Sequence, residues 1–428
     1  MAKIKPFKAL TFNQELVKNY SKVICPPYDI ISASQQERYL NSDPHNLIHI
    51  LLSKDVEGED KYIHAGNLFR EWIKEKILID EQKEAIYFYI QQYHIKGETR
   101  TRLGFISLLR LPEQDSKVYA HENTRLAPKE DRFKLMKQVK ANLSPIFAVF
   151  LDKQRIIQRV LRQYIQNKEP FIEAVDNEKT IHRLWRLDTP EVISMIQKSM
   201  SQEDIFIADG HHRYEVACAY RDEMKKKSKN FTGEEDFNYL LTYFTNTDTH
   251  GLCILPIHRL LKLEPGFDFK KFLVEAAEYF DVEEVKDKTR FFFLMQKGGR
   301  NEHLLGMYKD KKYYFLRLKN IKILDKMIAD KSKDYRALDV AILNYIVFKK
   351  ILGYNLENID NIIYGADAEE FIKEADGNPL NIAFFLNPVQ IQQIIAVALH
   401  EERMPPKSTY FYPKVISGLV MNKLGENK

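Results

Sequence analysis

Apolar positions recur along the chain at two alternating spacings, one near 3.6 residues and one near 2, and no internal repeat runs through them. That alternation predicts a mixed α and β protein. Residues 85–93 and 101–111, rich in β-branched and aromatic side chains, flank Ile95-Lys96-Gly97-Glu98 and read as a hairpin. Residues 129–143 have helical spacing, closed by Ser144-Pro145 because proline disfavours a helical residue before it. The dense apolar run 146–151 reads as a buried strand. A helix over 153–166 and strands over 171–175 and 181–187 follow, then a helix opened by Thr189-Pro190. Residues 205–208 form a short buried strand leading into Asp209-Gly210, and 211–227 place Val216, Ala217 and Tyr220 at helical spacing. The chain therefore turns sharply from strand to helix at Gly210. After a strand over 237–244, Pro256 and Pro265-Gly266 mark the strongest domain boundary. Beyond it, helices near 268–280, 337–352 and 388–400 alternate with strands near 313–318, 358–364 and 381–386, which suggests a second α/β layer.

Composition narrows the class. The 428 residues are 44% hydrophobic and 29% charged with only 16 Gly and 16 Pro, which excludes disordered and low-complexity chains. No window approaches the ~20 consecutive apolar residues that span a bilayer, and residues 1–12 lack the apolar centre of a signal peptide, so a cytoplasmic protein with no membrane partner is expected. A net charge of +5 on so long a chain argues against nucleic acid as a partner. Cys25, Cys218 and Cys253 are odd in number and far apart, which supports buried free thiols rather than disulfides or a zinc knuckle. The glycine-rich dinucleotide and P-loop motifs, Gly-x-Ser-x-Gly and His-Glu-x-x-His are all missing from the sequence.

Chemistry concentrates in a few short stretches. The strongest is Ala-Asp-Gly-His-His-Arg-Tyr-Glu at 208–215, where a strand delivers Asp209 and Gly210 to a helix start, and unpaired N–H groups there favour an anion. Gly210 lets a ligand approach the backbone, Arg213 can grip a phosphate with two donors, and His211 and His212 add titratable donors. The competing reading makes Asp209 a simple helix cap. Arg213 is expected to be partly exposed, and so to add little to stability. A second stretch holds His121, Glu122, Asn123, Thr124 and Arg125, followed by Lys129 and Asp131-Arg132. Glu122 suits a general base or a metal ligand, and Thr124, Arg125 and Lys129 suit phosphate. Cys25-Pro26-Pro27-Tyr28-Asp29 holds Tyr28 and Asp29 on a stiff backbone, or is simply a turn. Near the end, residues 405–414 combine lysines, hydroxyls and aromatics, so an ordered segment is expected, with Lys407, Ser408 and Thr409 near an anion. His258-Arg259 after Pro256 could join a phosphate site, while His45 and His49 lack a third metal ligand nearby.

Pro26-Pro27-Tyr28-Asp29, His121-Glu122-Asn123-Thr124, Ser144-Pro145-Ile146-Phe147, residues 208–215, Leu255-Pro256-Ile257-His258-Arg259 and residues 404–414 occur in one order. Together they resemble a bacterial and archaeal family known as domain of unknown function 1015. Asp-Gly-His-His-Arg at 209–213 is similar to the phosphate-binding turn of the ParB and sulfiredoxin fold, and most to its free-serine kinases. The resemblance implies an α+β protein: a ParB/sulfiredoxin-like core with N-terminal elaborations over 1–265, an additional α/β region over 266–400 and an ordered segment over 401–428. It implies a kinase moving a phosphoryl group from pyrophosphate, or from ADP or ATP, to free L-serine. Gly210, His211, His212 and Arg213 would hold phosphate, Glu122 or Asp209 would accept the serine proton, and Mg²⁺ would bridge the donor, with Asp209 or Glu122 as its ligand. The alternatives are a ParB-like nucleotide or DNA binder without transfer activity and a small-molecule phosphatase; the oligomeric state stays open.

Overall fold

The computed structural model describes residues 2–55, 58–113, 117–124, 126–298, 302–356 and 361–425. It is a mixed α/β protein whose chain forms two compact units. The first comprises Met1–Ala120, Thr124–Cys253 and Pro413–Lys428, and the second His121–Asn123 and Ile254–Tyr412.

A nine-stranded sheet organises the first unit. Its order is Val118–Tyr119, Ile205–Asp209, Ile146–Phe150, Tyr239–Asn246, Glu98–Arg110, Ile86–Ile95, Ile181–Leu187 and Ile172–Val175, with Ile4–Lys5 also on Glu98–Arg110. Ile86–Ile95 and Glu98–Arg110 pair antiparallel to the very end, Ile95 opposite Glu98. The two intervening residues, Lys96 at φ 51° and Gly97 at φ 78°, both have positive φ, as a tight turn matched to strand twist requires. The central strands Ile146–Phe150 and Tyr239–Asn246 run parallel and are buried at every position, which is why both read as continuous apolar runs rather than alternating ones.

Helices cover the sheet. Ile157 and Leu161 of Ile156–Ile165, with Ile193, Ile196 and Met200 of Pro190–Met200, pack on Phe88, Phe105, Phe150 and Phe244. A separate cluster joins Ile146, Ile207 and Leu240 to Tyr214 and Ala217 of the helix His211–Lys227. The helix Leu126–Val139 is not closed by Pro145, as the sequence suggests. It ends earlier, where Lys140 takes φ 51° and the chain enters the short strand Ala141–Asn142.

The second unit is built on a six-stranded antiparallel sheet ordered Phe280–Val285, Lys312–Leu318, Leu304–Lys309, Asn381–Phe385, His258–Lys262 and Ile362–Gly365. Phe291, Phe315, Phe371 and Phe385 form its core. Asp268 and Asp367 cap the helices Phe269–Tyr279 and Ala368–Gly377 by accepting from the first backbone amides. The single helix expected over 337–352 is instead a short turn, Asp339–Ile342, running into wider turns over Leu343–Ile351, where Leu352 N bonds Val347 O. Of the strand expected near 358–364, residues 358–360 lie outside the described residues, and the strand present is Ile362–Gly365.

Candidate functional site

The first unit's site begins with a strand that is buried from Ile205 to Ala208 and surfaces at Asp209. Its pairing with Ile146–Phe150 shifts register between Ile207 and Asp209, a local irregularity that bends the strand end before the helix. Gly210 follows at φ 90°, and the helix His211–Lys227 starts at once, with Tyr214 N bonded to Gly210 O at 2.9 Å. Glycine is required here twice over. Positive φ penalises a side chain, and a Cβ would sit 2.9 Å from Ile146 Cγ2 and 2.9 Å from Arg213 Nη2.

Arg213 reaches back one helical turn. Its Nη2 donates to Asp209 Oδ2 at 3.0 Å and its Nη1 donates to Pro145 O. Lys414 Nζ donates to the other oxygen, Asp209 Oδ1. The side chains of Arg213, Asp209 and Lys414 are only 11%, 14% and 10% exposed. Arg213 is exposed only to this small extent, because it donates to the Pro145 carbonyl and to Asp209. Two cationic side chains thus share one carboxylate at a helix start, where the dipole favours an anion. His211 is buried and His212 half-buried on the same first turn.

Tyr28 belongs to this neighbourhood. Pro27 leads into a single tight turn, Tyr28–Ile30, and the Arg132 guanidinium stands 4.3 Å from the Tyr28 ring centroid. Burial pushes the phenol up to about 12, with Asp29 adding to the effect and Arg213 and Arg132 opposing it. Tyr28, Arg132, Ser144 and Arg213 line one cavity of about 50 Å³. Asp29 itself is exposed. Two residues beyond Arg213, Glu215 accepts from Thr124 Oγ1 and from Lys129 Nζ, the latter at 3.0 Å. Thr124 and Lys129 thus meet the helix that carries Arg213. Arg125 lies outside the described residues.

The other expected residues gather in the second unit. His121 is buried with Nε2 3.5 Å from Thr409 Oγ1, and Glu122 pairs with Met404 in a parallel bridge. His258 Nδ1 accepts from Leu386 N at 3.3 Å and packs edge-on against Phe385. Arg259 donates to the carbonyls of Ile257 and Lys407, while Ser408 Oγ donates to Pro405 O. The Lys407 side chain is exposed. Sequence reasoning did not assign Lys414, Glu215, Arg132 or Ser144. The first sits at the end of the 405–414 segment and the second closes the 208–215 motif, so both carried a signal.

Mg²⁺ at Asp209 does not fit this donor set. Each oxygen of Asp209 already accepts from a cationic side chain, Arg213 at one and Lys414 at the other, and two positive charges so close repel a third. Among the described residues, no group of three or more His, Cys, Asp or Glu side chains could hold a metal ion.

The sequence matches the model of a protein family of unknown function, DUF1015, over residues 4–341. The chain belongs to that family. The match spans the DUF1015 chain from the first strand through the Gly210 turn, while Lys414 lies beyond it. No curated relative matches the sequence. Among solved structures, a conserved hypothetical protein from Pyrococcus furiosus is similar at 12% identity and a TM-score of 0.32, covering 70% of this chain and 89% of that one. A free serine kinase in complex with AMP is similar at 13% identity and 0.33, covering 69% and 83%. SbnI with a C-terminal truncation, from Staphylococcus aureus, is similar at 9% and 0.36, covering 74% and 86%. Likeness at this level is too slight to carry geometry or chemistry over to the DUF1015 chain. Among its described residues, no helix is long and apolar enough to cross a membrane.

Proposed function

We propose that this DUF1015 protein is a small-molecule kinase that moves a phosphoryl group from pyrophosphate, or from ADP or ATP, to the hydroxyl of free L-serine. The observation that carries the reading is the Asp209–Arg213 turn: a glycine that admits no side chain, followed by a helix start at which Arg213 and Lys414 converge on one carboxylate. Phosphoryl transfer asks a protein mainly for positioning and for positive charge on the transferring oxygens. Gly210 lets a phosphate approach the backbone closely at the start of the helix, and Arg213, held by Asp209 and Pro145, offers a pre-oriented cation. Serine as acceptor, and a ParB/sulfiredoxin-like core for the first unit, rest on the similarity of residues 209–213 to the turn of the free-serine kinases.

The chemistry balances simply. The serine Oγ–P bond forms, the bridging P–O bond of the donor breaks, inorganic phosphate leaves when pyrophosphate is the donor, and Glu122 or Asp209 accepts the hydroxyl proton. The test is an assay of the purified chain with L-serine and each donor in turn, with and without Mg²⁺, reading O-phosphoserine by mass spectrometry. Product is expected from at least one donor, pyrophosphate first, and Arg213→Ala should lower donor affinity by about tenfold or more. No product from any donor, in protein that unfolds cooperatively, removes the serine kinase reading.

A further inference from the structure

A cavity of about 340 Å³ lies within the second unit, lined by Arg259, His303, Asp339, Asn387, Gln393 and Ser408 among others. Its size suits a small molecule. Arg259 comes from the strand His258–Lys262 and is one of the largest fully buried side chains of the protein, 1% exposed. Its two terminal nitrogens donate to the carbonyls of Ile257 and Lys407, which are neutral acceptors. Its Nε is buried and, among the described residues, has no hydrogen-bond partner. Burial pulls this guanidinium down to about 10, and the face of the Tyr364 ring lies 5.5 Å away.

A buried cation in that condition is costly unless an anion joins it. The carboxylates of the lining are committed elsewhere. Asp339 Oδ1 is 3.0 Å from His303 Nδ1, and Glu302 accepts from Arg317 Nε at 2.5 Å. A second donor points the same way, since Asn387 Nδ2 is also buried without a partner among the described residues. The helix Ile391–Leu399 begins at the same cavity, with Gln390 and Gln393 forming its capping box. The two residues that carry these unmet donors, Arg259 and Asn387, and the start of the helix Ile391–Leu399 border one small space.

We infer that this cavity is a binding site for a small anion, a carboxylate or a phosphate ester, with Arg259 and Asn387 as its primary contacts. This goes beyond the reading of the Gly210 turn and does not depend on it. The test uses the full chain labelled with [15N]arginine. The Arg259 Nε–H signal, identified by its loss in Arg259→Lys, is followed during separate titrations with acetate and inorganic phosphate. A saturable shift with either probe is expected, and the probe that acts tells carboxylate from phosphate. Asn387→Asp, at a half-buried position that keeps the side-chain shape, should weaken that binding at least tenfold by replacing a donor with a negative charge. If Arg259→Lys does not fold, calorimetry with the same probes on the wild-type and Asn387→Asp chains decides. The inference falls if neither probe binds saturably, or if Asn387→Asp binds as tightly as the wild type.

Discussion

At Gly210 two independent constraints meet in one residue, and they make a sharp prediction. Alanine there must tolerate φ 90° and place its methyl 2.9 Å from Ile146 Cγ2 and Arg213 Nη2. Gly210→Ala should therefore cost about 1–3 kcal/mol in thermal or denaturant unfolding, and should displace Arg213 from Pro145 O and Asp209. Wild-type stability in that variant would mean the turn relaxes freely and is not the rigid cradle described. The acids call for different treatment. Glu122→Gln keeps shape and removes a proton acceptor, so turnover should fall by roughly 10²–10⁴-fold with donor affinity little changed if Glu122 is the base. Near-normal turnover assigns the proton to Asp209. Asp209→Asn is a poorer probe than the sequence implies, because that carboxylate also holds Arg213 and Lys414 together. Asparagine there removes the negative charge that two nearly buried cations share, so stability and binding should fall together.

Single elements were the most legible level. The strand over 181–187 and the helix over 211–227 match Ile181–Leu187 and His211–Lys227 end to end, because each is bounded by a strong local signal, Thr189-Pro190 after the one and Gly210 before the other. Where the reading missed, the cause is tertiary. Lys140 takes a left-handed conformation that few would assign to lysine, and the Leu343–Ile351 turns widen inside a run whose apolar spacing alone reads as an ordinary helix. Loops hide their own anchors in the same way. The loop before Tyr239–Asn246 is pinned by Glu235, which accepts from Thr232 N, Thr232 Oγ1, Gly233 N and Asn238 Nδ2 at 2.6–2.9 Å. Desolvation would raise its carboxyl, but these hydrogen bonds, those from the backbone above all, hold it down at about 2. A carboxyl lowered on folding adds stability that is full above its unfolded value near 4.5 and is lost as pH falls through about 2. The solvent-facing loop screens the effect, so about 1 kcal/mol is expected. Glu235→Gln should remove that much of the stability difference between pH 5.5 and pH 2.5 in urea titrations, and an unchanged difference would place the anchor elsewhere.

On the scale of the whole chain, the order of residues is a poor guide to which unit they join. His121–Asn123 belong to the second unit although both flanks belong to the first, and Pro413–Lys428 return to the first after the second is complete. Nothing local in the sequence marks such excursions, because they depend on pairings such as Glu122 with Met404 and Asn422 with Asn142, some 280 residues apart. The returning segment is deeply built in. Met421 bridges to Leu10, Ser417 to Cys25, Arg102 donates to Pro413 O, and Lys414 holds Asp209. Val415, Ile416, Leu419, Val420, Met421 and Leu424 are all at most 6% exposed. Six such side chains at about 1.5–3 kcal/mol each amount to about 9–18 kcal/mol as an upper estimate, comparable with the whole stability of about 5–15 kcal/mol that a folded protein commands. A chain ending at Tyr412 should therefore lose cooperative folding of the first unit. Both tryptophans, Trp72 and Trp185, lie buried there, so their emission reports on that unit alone. Emission shifted to the red in the shortened chain, with no cooperative transition on heating, is the expected result; a native-like emission and melting curve would show that the first unit stands without the segment that carries Lys414.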